Sequence, residues 1–377
     1  MLRRIWQILI KELIQIRRDK YGWIRIIVPP LVQLIVFGYA ATFEVNRVST
    51  AILDYDHSLE SRELVARFVE NRRFELDEMP AGRADLRDFV DRSRVAVAIQ
   101  INPQFAKQLR NGQTAPLQII VDGTNSNTAL IALGYMGEIA TRFASDYQID
   151  RMNRLAPNLT ARVPSVRMIE RPWYNPNLNS KWFFIPGIIG SLTLMTVVNL
   201  TSFAVVRERE VGTLEQIIVT PVRPIEFILG KTAPFFLIGL AQVLIITLLG
   251  VTWFGVPLRG NPLVMLLGTA LFLVSTLAVG LLISTVCSTQ QQAFASSFFY
   301  LVPAFTISGF AFPLASMPRP MQWITYLNPL RYYLVVLRGV FLKGTGLAIL
   351  WPQMFAMTLL GLALLGLCIL RFRKSLD

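Results

Sequence analysis

The sequence predicts an α-helical polytopic membrane protein with six transmembrane helices and an inserted extracytoplasmic α/β domain. Three observations lead to this fold class. The chain of 377 residues is 53% hydrophobic and only 16% charged, which is more apolar side chain than one soluble core requires. Six apolar runs have the length of a membrane span. The polar stretch 44–181 follows the first run and alternates strand and helix patterns.

The net charge of +13 comes mostly from basic residues that flank the predicted membrane spans. Residues 44–181 contain 18 Lys and Arg against 17 Asp and Glu, which leaves 19 against 7 for the remainder, most of them beside apolar runs. Basic residues in that position mark the edges of membrane spans rather than a phosphate-binding face. We therefore expect membrane lipid, and no nucleic acid, among the partners of this chain.

The N-terminal residues 1–22 place apolar and basic side chains on opposite sides of a helix, which predicts an amphipathic helix at the membrane interface. Residues 23–43 follow as the first transmembrane helix, which Pro29 and Pro30 should kink near its start. A cleaved signal peptide is the alternative, because residues 38–40 form a small-x-small pattern. The long basic lead and the paired prolines favour a retained span.

Residues 44–181 are predicted to form a separate periplasmic α/β domain and a linker. Strands are expected at 51–55, 95–101 and 117–121, and helices at 59–72, 103–110 and 128–154. This order of elements indicates a compact α/β domain. The stretch 156–181, rich in Pro and Asn, leads back to the membrane.

Asp54 and Asp56 in this domain lie beside His57, the single histidine of the chain, so a metal or hydrolytic site is conceivable. A turn at the end of a strand, with Ser58 capping the next helix, is the commoner explanation of the same residues. Both cysteines lie at or within apolar runs, which excludes a disulfide framework in the polar region. We expect no catalytic residue and no metal site in this chain.

The region 182–377 contains the other predicted transmembrane helices. They are expected at 182–206, 232–254, 263–286, 294–312 and 349–370. Lys and Arg concentrate in the N-terminal flank, in the loop after the second span and in the C-terminal tail. This distribution predicts a multi-pass protein of the cell inner membrane, with both termini cytoplasmic and the large domain periplasmic. The basic residues before the last span are a weak contrary signal.

A charged segment, residues 207–231, separates the second and third predicted spans, and we call it the elbow. It opens with Arg-Glu-Arg-Glu, and Thr213 and Gln216 have the spacing of a capping box before Pro221. The pattern indicates a stiff, charged segment along the membrane that suits contact with a partner. An ordinary solvated loop is the alternative.

Three sequence blocks resemble the type-2 family of ABC transporter permeases, in the branch with a large periplasmic domain between the first two transmembrane helices. The blocks are Arg-Glu-Arg-Glu-Val-Gly-Thr-Leu-Glu-Gln at 207–216, Ser-Gly-Phe-Ala-Phe-Pro at 308–313, and Asn-Pro-Leu-Arg-Tyr-Tyr at 328–333. The resemblance implies the permease subunit of an exporter, driven by a separate ATPase subunit. It further implies a dimeric translocation path for a hydrophobic or amphipathic substrate that is drug-like or lipid-like.

The resemblance also implies roles for two groups of residues. Those that couple the elbow to the ATPase are Arg207, Glu208, Arg209, Glu210, Gly212, Thr213, Glu215 and Arg223. The region 303–343, which prolines and glycines interrupt, is implied to form short re-entrant helices that close an outer gate. Its gate residues are Phe310, Pro313, Asn328, Pro329 and Arg331. An ordinary external loop is the alternative for this region.

The chain lacks a phosphate-binding loop, because the one similar stretch, 339–345, has Thr345 after Gly344 where the loop requires lysine. We therefore expect no enzyme activity and no cofactor on this chain, with ATP and magnesium on the partner ABC ATPase subunit. The permease is expected to form a homodimer, or a heterodimer with a paralogous permease. A periplasmic adaptor protein is a further expected partner.

The second to fifth predicted spans contain no Asp or Glu, which argues against ion-coupled transport. Their mild polar side chains include Thr196, Asn199 and Gln242, which are candidates for the translocation path. The alternative is that these groups only join helices. Two other functions remain open at this stage. One is a membrane-anchored receptor or scaffold that acts through its periplasmic domain, and the other is an ion-driven transporter.

Overall fold

The structure is a computed structural model that describes residues 2–18, 20–40, 47–71, 73–124, 126–155, 173–177, 179–212 and 224–374. The chain divides into two compact units. The first, which we call the membrane unit, comprises Met1–Thr42 and Arg171–Asp377, and the second, the α/β unit, comprises Phe43–Glu170.

The described part of the membrane unit is helical. Its helices are α1 (Leu2–Arg18), α2 (Lys20–Ala40), α7 (Ser180–Glu210), α8 (Pro224–Thr252), α9 (Pro262–Val286), α10 (Gln290–Thr306), α11 (Arg319–Thr325), α12 (Pro329–Arg338) and α13 (Leu347–Lys374). A 3₁₀ turn at Leu314–Ser316 and a π-helical segment at Gly339–Lys343 lie between them. Short helices thus occupy much of the region 303–343.

Four of these helices, α7, α8, α9 and α13, are long and apolar enough to cross a membrane. Helix α2 has a shorter apolar stretch, Ile26–Tyr39, and α10 has only 17 residues. These facts support a helical membrane protein, while six crossings stay a prediction. Helix α1 ends at Arg18 rather than near residue 22, and residues 20–22 belong to α2.

Three predicted span boundaries differ from the ends of the helices. The predicted span 294–312 ends early, because α10 stops at Thr306 and Gly309 then adopts a φ of +86°, which favours glycine and cannot continue a helix. The predicted span 182–206 was too short, because α7 continues to Glu210. Helix α8 begins at Pro224, well before residue 232, the predicted start of the third span. Charged residues at both ends of the elbow therefore belong to helices.

Helix α7 is the centre of the membrane unit, where it packs against α2, α8, α9, α10 and α12. Tyr333 of α12 is fully buried, stacks on Phe272 of α9 with ring centroids 4.1 Å apart, and shares a hydrogen bond of 2.9 Å with Thr269. The Ser275 hydroxyl donates to the carbonyl of Met357 at 2.7 Å and so joins α9 to α13. Such interhelical contacts hold membrane helices together where the lipid is as apolar as the side chains.

The α/β unit contains a four-stranded sheet with strand order β2-β1-β3-β4. Its elements are β1 (Val48–Asp54), α3 (Leu59–Glu70), β2 (Phe74–Glu78), α4 (Arg83–Asp91), β3 (Val97–Ile101), α5 (Phe105–Arg110), β4 (Leu117–Val121) and α6 (Ser126–Leu155). Strand β1 pairs in parallel with β2 and β3, and β4 pairs antiparallel with β3. Strand β2 and helix α4 were not among the elements predicted from the sequence.

Hydrophobic side chains cover both faces of this sheet. On one face, Ile99 packs with Leu64 and Phe68 of α3 and Met136 of α6. On the other face, Leu86 of α4 packs with side chains from β1 and β3. Burial of a central strand on both faces explains why β3 is a continuous buried run.

Replacing Phe68 by Ala should destabilise the α/β unit by about 3–5 kcal/mol, because its ring is only 1% exposed. Val69→Ala is the matched control, since Val69 follows it on α3 and is 46% exposed. Limited proteolysis of the full chain should therefore cut the α/β unit of Phe68→Ala first and leave Val69→Ala as resistant as wild type. Equal resistance of the two variants would contradict this core.

Candidate functional site

A buried ion cluster joins the two ends of the elbow. Lys231 Nζ lies 2.6 Å from Glu208 Oε1 and 3.3 Å from Glu12 Oε1. The three side chains come from α8, α7 and α1, and they are only 4%, 11% and 8% exposed. The ammonium also lies over the ring of Phe227, 5.7 Å from its centroid. We call Glu12, Glu208 and Lys231 the ion cluster.

The energy of such a cluster depends on keeping every partner. Removal of charged groups from water costs several kcal/mol for each ion, and close pairing offsets that cost only while the pairs are intact. Helix positions explain the geometry, because Glu208 lies in the last turn of α7 and Lys231 lies two turns into α8. The ion cluster therefore holds α1, α7 and α8 together at the base of the elbow.

The last turn of α7 is also attached to the connection between α9 and α10. Arg209 Nη1 donates to the carbonyl of Cys287 at 2.9 Å. Glu210 accepts the backbone N–H of Gln290 at 2.7 Å and a second hydrogen bond from the Gln290 side-chain amide. These contacts attach the last turn of α7 to α10 as well as to α8.

The other predicted coupling residues differ in exposure. Arg207 is exposed at the same turn. Gly212 has a φ of +77°, a left-handed conformation that favours glycine and follows the end of α7. Thr213, Glu215 and Arg223 lie outside the described residues.

A cavity of about 650 Å³ lies beside the ion cluster. Among its lining residues are Glu208, Lys231, Arg207, Thr196 and Asn199. One end of the cavity is thus charged, and the side chains towards the middle of α7 carry hydroxyl and amide groups. The structure brings two of the three predicted path residues into this one cavity.

The third predicted path residue, Gln242, lines a neighbouring cavity of about 420 Å³ whose wall is almost entirely apolar. Gln242 Nε2 donates to Thr196 Oγ1 at 3.2 Å, so the hydrogen bond connects the walls of the two cavities. Ile26 and Pro30 of α2 line both of them. The two cavities together offer a polar compartment next to an apolar one.

The predicted gate lies at the start of α7. Because an α-helix rises 1.5 Å per residue, this end of α7 is about 40 Å from the elbow. Phe310 packs directly on Gly187, where a Cβ atom would lie only 2.1 Å from the ring. The ring also contacts Phe305 and Phe184, with centroids 4.9 Å and 6.0 Å away. Glycine at 187 is therefore required for Phe310 to reach the helix.

The remaining predicted gate residues hold the short helices together. Asn328 is buried, donates from Nδ2 to the carbonyl of Ala304 at 2.6 Å and accepts the Leu330 N–H at 3.0 Å, which caps α12. Arg331 donates to the Gln322 carbonyl at 3.3 Å and to the Thr325 hydroxyl, and stacks 3.9 Å from the Tyr326 centroid. Pro329 opens α12 and is buried, whereas Pro313 is exposed.

Comparison with known proteins identifies the family. Residues 20–370 match the family model described as ABC-2 family transporter protein. The chain is 34% identical over 356 residues to a probable multidrug ABC transporter permease, YbhR, of Escherichia coli K12, which covers 94% of each chain.

This chain belongs to the ABC-2 transporter family.

Two other relatives from Escherichia coli K12 match over nearly their full length. The probable multidrug ABC transporter permease YbhS is 33% identical over 392 residues, covering 100% of this chain and 98% of the relative. The inner membrane transport permease YhhJ is 30% identical over 395 residues, with the same coverage. These relatives confirm the predicted resemblance to ABC transporter permeases. Membership of the ABC-2 family implies an ABC ATPase partner in general.

Asp54 of this ABC-2 protein forms a hydrogen-bonded turn at the end of β1, which is the commoner of the two explanations given for these residues. Asp54 accepts the backbone N–H groups of Asp56 and His57 at 2.9 and 3.1 Å and the Ser61 hydroxyl at 2.7 Å. Asp56 accepts the N–H of Ala106 at 3.0 Å. Burial raises the pKa of Asp56, but hydrogen bonds from the Ser58 side chain and from the backbone near Ala106 outweigh burial, and the pKa lies below its usual value. In the described part of the chain, no three His, Cys, Asp or Glu side chains cluster as metal ligands.

Sequence reasoning missed two important participants, Glu12 and Gln290, and assigned no role to Lys231. Glu12 carried a signal, because it is the one acidic residue in the first 18 of an otherwise basic helix. A lone acid on such a helix suggests a specific partner, although only the fold shows that the partner is 219 residues away.

Replacing Lys231 by Met should destabilise the membrane unit by roughly 3–5 kcal/mol, because two buried carboxylates lose their shared cation. Thermal unfolding of the purified full chain in mild detergent measures the effect. The matched control is Lys11→Met on α1, since Lys11 is exposed. Adding Glu208→Gln to Lys231→Met should recover part of the loss, because one unpaired charge is then removed. A Lys231→Met protein that unfolds at the temperature of Lys11→Met would contradict the role of the ion cluster.

Proposed function

We propose that this chain is the membrane permease subunit of an ATP-binding-cassette exporter, driven by a separate ATPase subunit. Two such chains, identical or paralogous, form the translocation path for a hydrophobic or amphipathic substrate. The observation that carries the proposal is the ion pair between Glu208 and Lys231, which joins the two ends of the elbow inside a permease of the ABC-2 family. The relatives named as multidrug permeases support a drug-like cargo.

The elbow is the proposed contact with the ATPase. The ATPase would contact exposed groups of the elbow such as Arg207, and also Thr213, Glu215 and Arg223. Glu208, Arg209 and Glu210 act differently, because their side chains bind other helices of the same chain. They would transmit a movement of the elbow to α8, α10 and α1 when the ATPase subunits close on ATP.

The cavities beside the ion cluster are the proposed cargo site. Their polar part carries Thr196 and Asn199, and their apolar part lies beyond the hydrogen bond from Gln242 to Thr196. An amphipathic molecule matches both environments, since its polar end finds hydrogen-bonding partners and its hydrocarbon part finds an apolar wall. The buried ionic groups beside the cavity, Glu12, Glu208 and Lys231, are paired with one another, which favours conformational work by an ATPase over proton or sodium coupling.

The proposed arrangement in the cell inner membrane has six crossings, made by α7, α8, α9 and α13 together with α2 and α10. Both termini and the elbow then face the cytoplasm, and the α/β unit lies in the periplasm, where an adaptor protein would bind. The short helices between α10 and α13 form the outer gate, with Phe310 as the side chain that closes against α7.

The test is co-expression of the tagged chain with ABC ATPase subunits from the same source, followed by purification in mild detergent. One ATPase subunit should co-purify and hydrolyse ATP. Glu215→Lys should lower the ATPase activity of the complex about tenfold, which corresponds to a coupling free energy of roughly 1.4 kcal/mol. Glu138→Lys provides the control, because it makes the same charge change at an exposed position of α6.

Two outcomes would count against the proposal. If the folded permease purifies without any ATPase, the result would favour a receptor or scaffold instead of a permease subunit. Equal ATPase activity in the Glu215→Lys and Glu138→Lys complexes would remove the elbow from the coupling mechanism.

A further inference from the structure

The membrane unit separates its charges between its two ends. No Asp or Glu occurs from Phe227 to Leu376. The acidic residues described in this unit, Glu12, Glu208, Glu210 and Glu226, all lie at or near the elbow. Among the described residues of the membrane unit, the charged side chains at the opposite end, around the start of α7, are all cations. They are Lys181, Arg259, Arg319, Arg331, Arg338 and Lys343.

Three of these cations converge on the first turn of α7 and on aromatic rings. Arg338 lies over the Phe183 ring at 3.9 Å, and Arg259 lies over the Trp182 ring at 5.7 Å. Lys181, in the same turn, lies over the Tyr39 ring of α2 at 5.4 Å. The N-terminus of a long helix adds partial positive charge to this end. The faces of aromatic rings attract cations, but a ring has no net negative charge, so the site keeps its positive charge.

Arg338 has spare hydrogen-bonding capacity inside this group. Its Nη1 donates to the carbonyl of Gly309 at 3.2 Å. Its Nε and Nη2 atoms are shielded from solvent and have no hydrogen-bond partner in the described structure. A guanidinium has five N–H donors and presents a planar fork that suits carboxylate and phosphate oxygens. Buried donors without partners are costly, and in natural proteins they point to a bound group or a second conformation.

The surroundings indicate a ligand with an apolar part. Phe183, Phe184, Phe305 and Phe310 form a chain of ring contacts beside the guanidinium, with successive centroids between 4.9 and 6.0 Å apart. The Gly309 carbonyl that Arg338 holds belongs to the same short segment as Phe310. Movement of this segment away from α7 would free the guanidinium fork and open the aromatic wall together.

We propose that Arg338, with Arg259 and Lys181 nearby, binds the phosphate-bearing headgroup of an anionic, lipid-like amphiphile when the Gly309–Phe310 segment moves. In the closed arrangement, Arg338 Nη1 donates a hydrogen bond to the Gly309 carbonyl. In the open arrangement, the headgroup oxygens accept hydrogen bonds from the guanidinium in place of that carbonyl. That the amphiphile is the exported cargo rests on the proposed function. The binding site itself does not depend on an ATPase.

The test is native mass spectrometry of the purified full chain, without ATPase, in detergent that contains equal amounts of phosphatidylglycerol and phosphatidylcholine. The wild-type chain should retain the anionic phosphatidylglycerol in preference. Arg338→Gln should lower that preference about tenfold, the size expected for charge-assisted hydrogen bonds. Arg319→Gln is the matched control, because Arg319 is exposed and its replacement removes the same charge. It should keep the wild-type preference.

A second variant tests the site in the opposite direction and covers the case in which Arg338→Gln does not fold. Gly187→Ala leaves every cation and every aromatic ring in place, but its Cβ atom would lie only 2.1 Å from the Phe310 ring, so the segment should open more readily. Retention of phosphatidylglycerol should then rise severalfold. A folded Arg338→Gln protein with wild-type retention, or no rise in Gly187→Ala, overturns the proposal.

Glycerol phosphate separates the lipid-like ligand from a free phosphate. At millimolar concentration, it should not displace the bound phosphatidylglycerol, because it lacks the hydrocarbon that the aromatic wall would contact. Displacement by glycerol phosphate overturns the lipid-like assignment. Since no ATPase is present, failure here leaves the proposed function in place, and absence of an ATPase complex leaves this site in place.

Discussion

Burial of helix α7 is the constraint on which the rest of the membrane unit depends. This helix of 31 residues is surrounded by α2, α8, α9, α10 and α12, and its small residues allow close approach. A buried helix transmits displacement along its axis, because protein interiors are packed too densely to absorb it locally. Its N-terminal turns contact Phe310 and Arg338, and its last turn carries Glu208 of the ion cluster. One rigid element thus connects two chemically different sites about 40 Å apart.

The charged side chains at the two ends of α7 have different kinds of partners. At the elbow, carboxylates and cations neutralise one another, so Lys231 can remain buried between Glu12 and Glu208. At the opposite end, Arg259, Arg331 and Arg338 have backbone carbonyls and aromatic rings as partners instead of carboxylates. Such partners satisfy individual donors but not the charge. The first end is therefore suited to mechanical connection, and the second is suited to binding anions.

Interrupted backbone in the membrane unit has identifiable partners. Where α10 ends, the Ala304 carbonyl accepts a hydrogen bond from Asn328, and the Gly309 carbonyl accepts one from Arg338. Irregular backbone at membrane depth is tolerated only when its polar groups are satisfied inside the protein. The sequence block from Ser308 to Pro313 and the block from Asn328 to Tyr333 are thus complementary, since side chains of the second region bind carbonyls of the first.

The sequence by itself determined the helical membrane character and the family, because hydrophobic length, charge distribution and three motif blocks are local properties of the chain. It also indicated the turn at Asp54 and the cap at Ser58, which depend on neighbours a few residues away. Strand β2 was missed because an edge strand with three acidic residues lacks a continuous apolar signal. The end of the fifth predicted span was wrong because hydropathy does not register a left-handed glycine.

Only the tertiary structure decided which charges are paired. Glu208 appeared in the sequence as part of an exposed charged segment, whereas the fold buries it against Lys231 and Glu12. Arg338 carried no sequence signal beyond an isolated charge, and its unpartnered donors depend on the course of residues 307–313. Both facts arise from contacts between residues far apart in the chain. Burial and pairing set the energy of a charge, and neither can be calculated from local sequence.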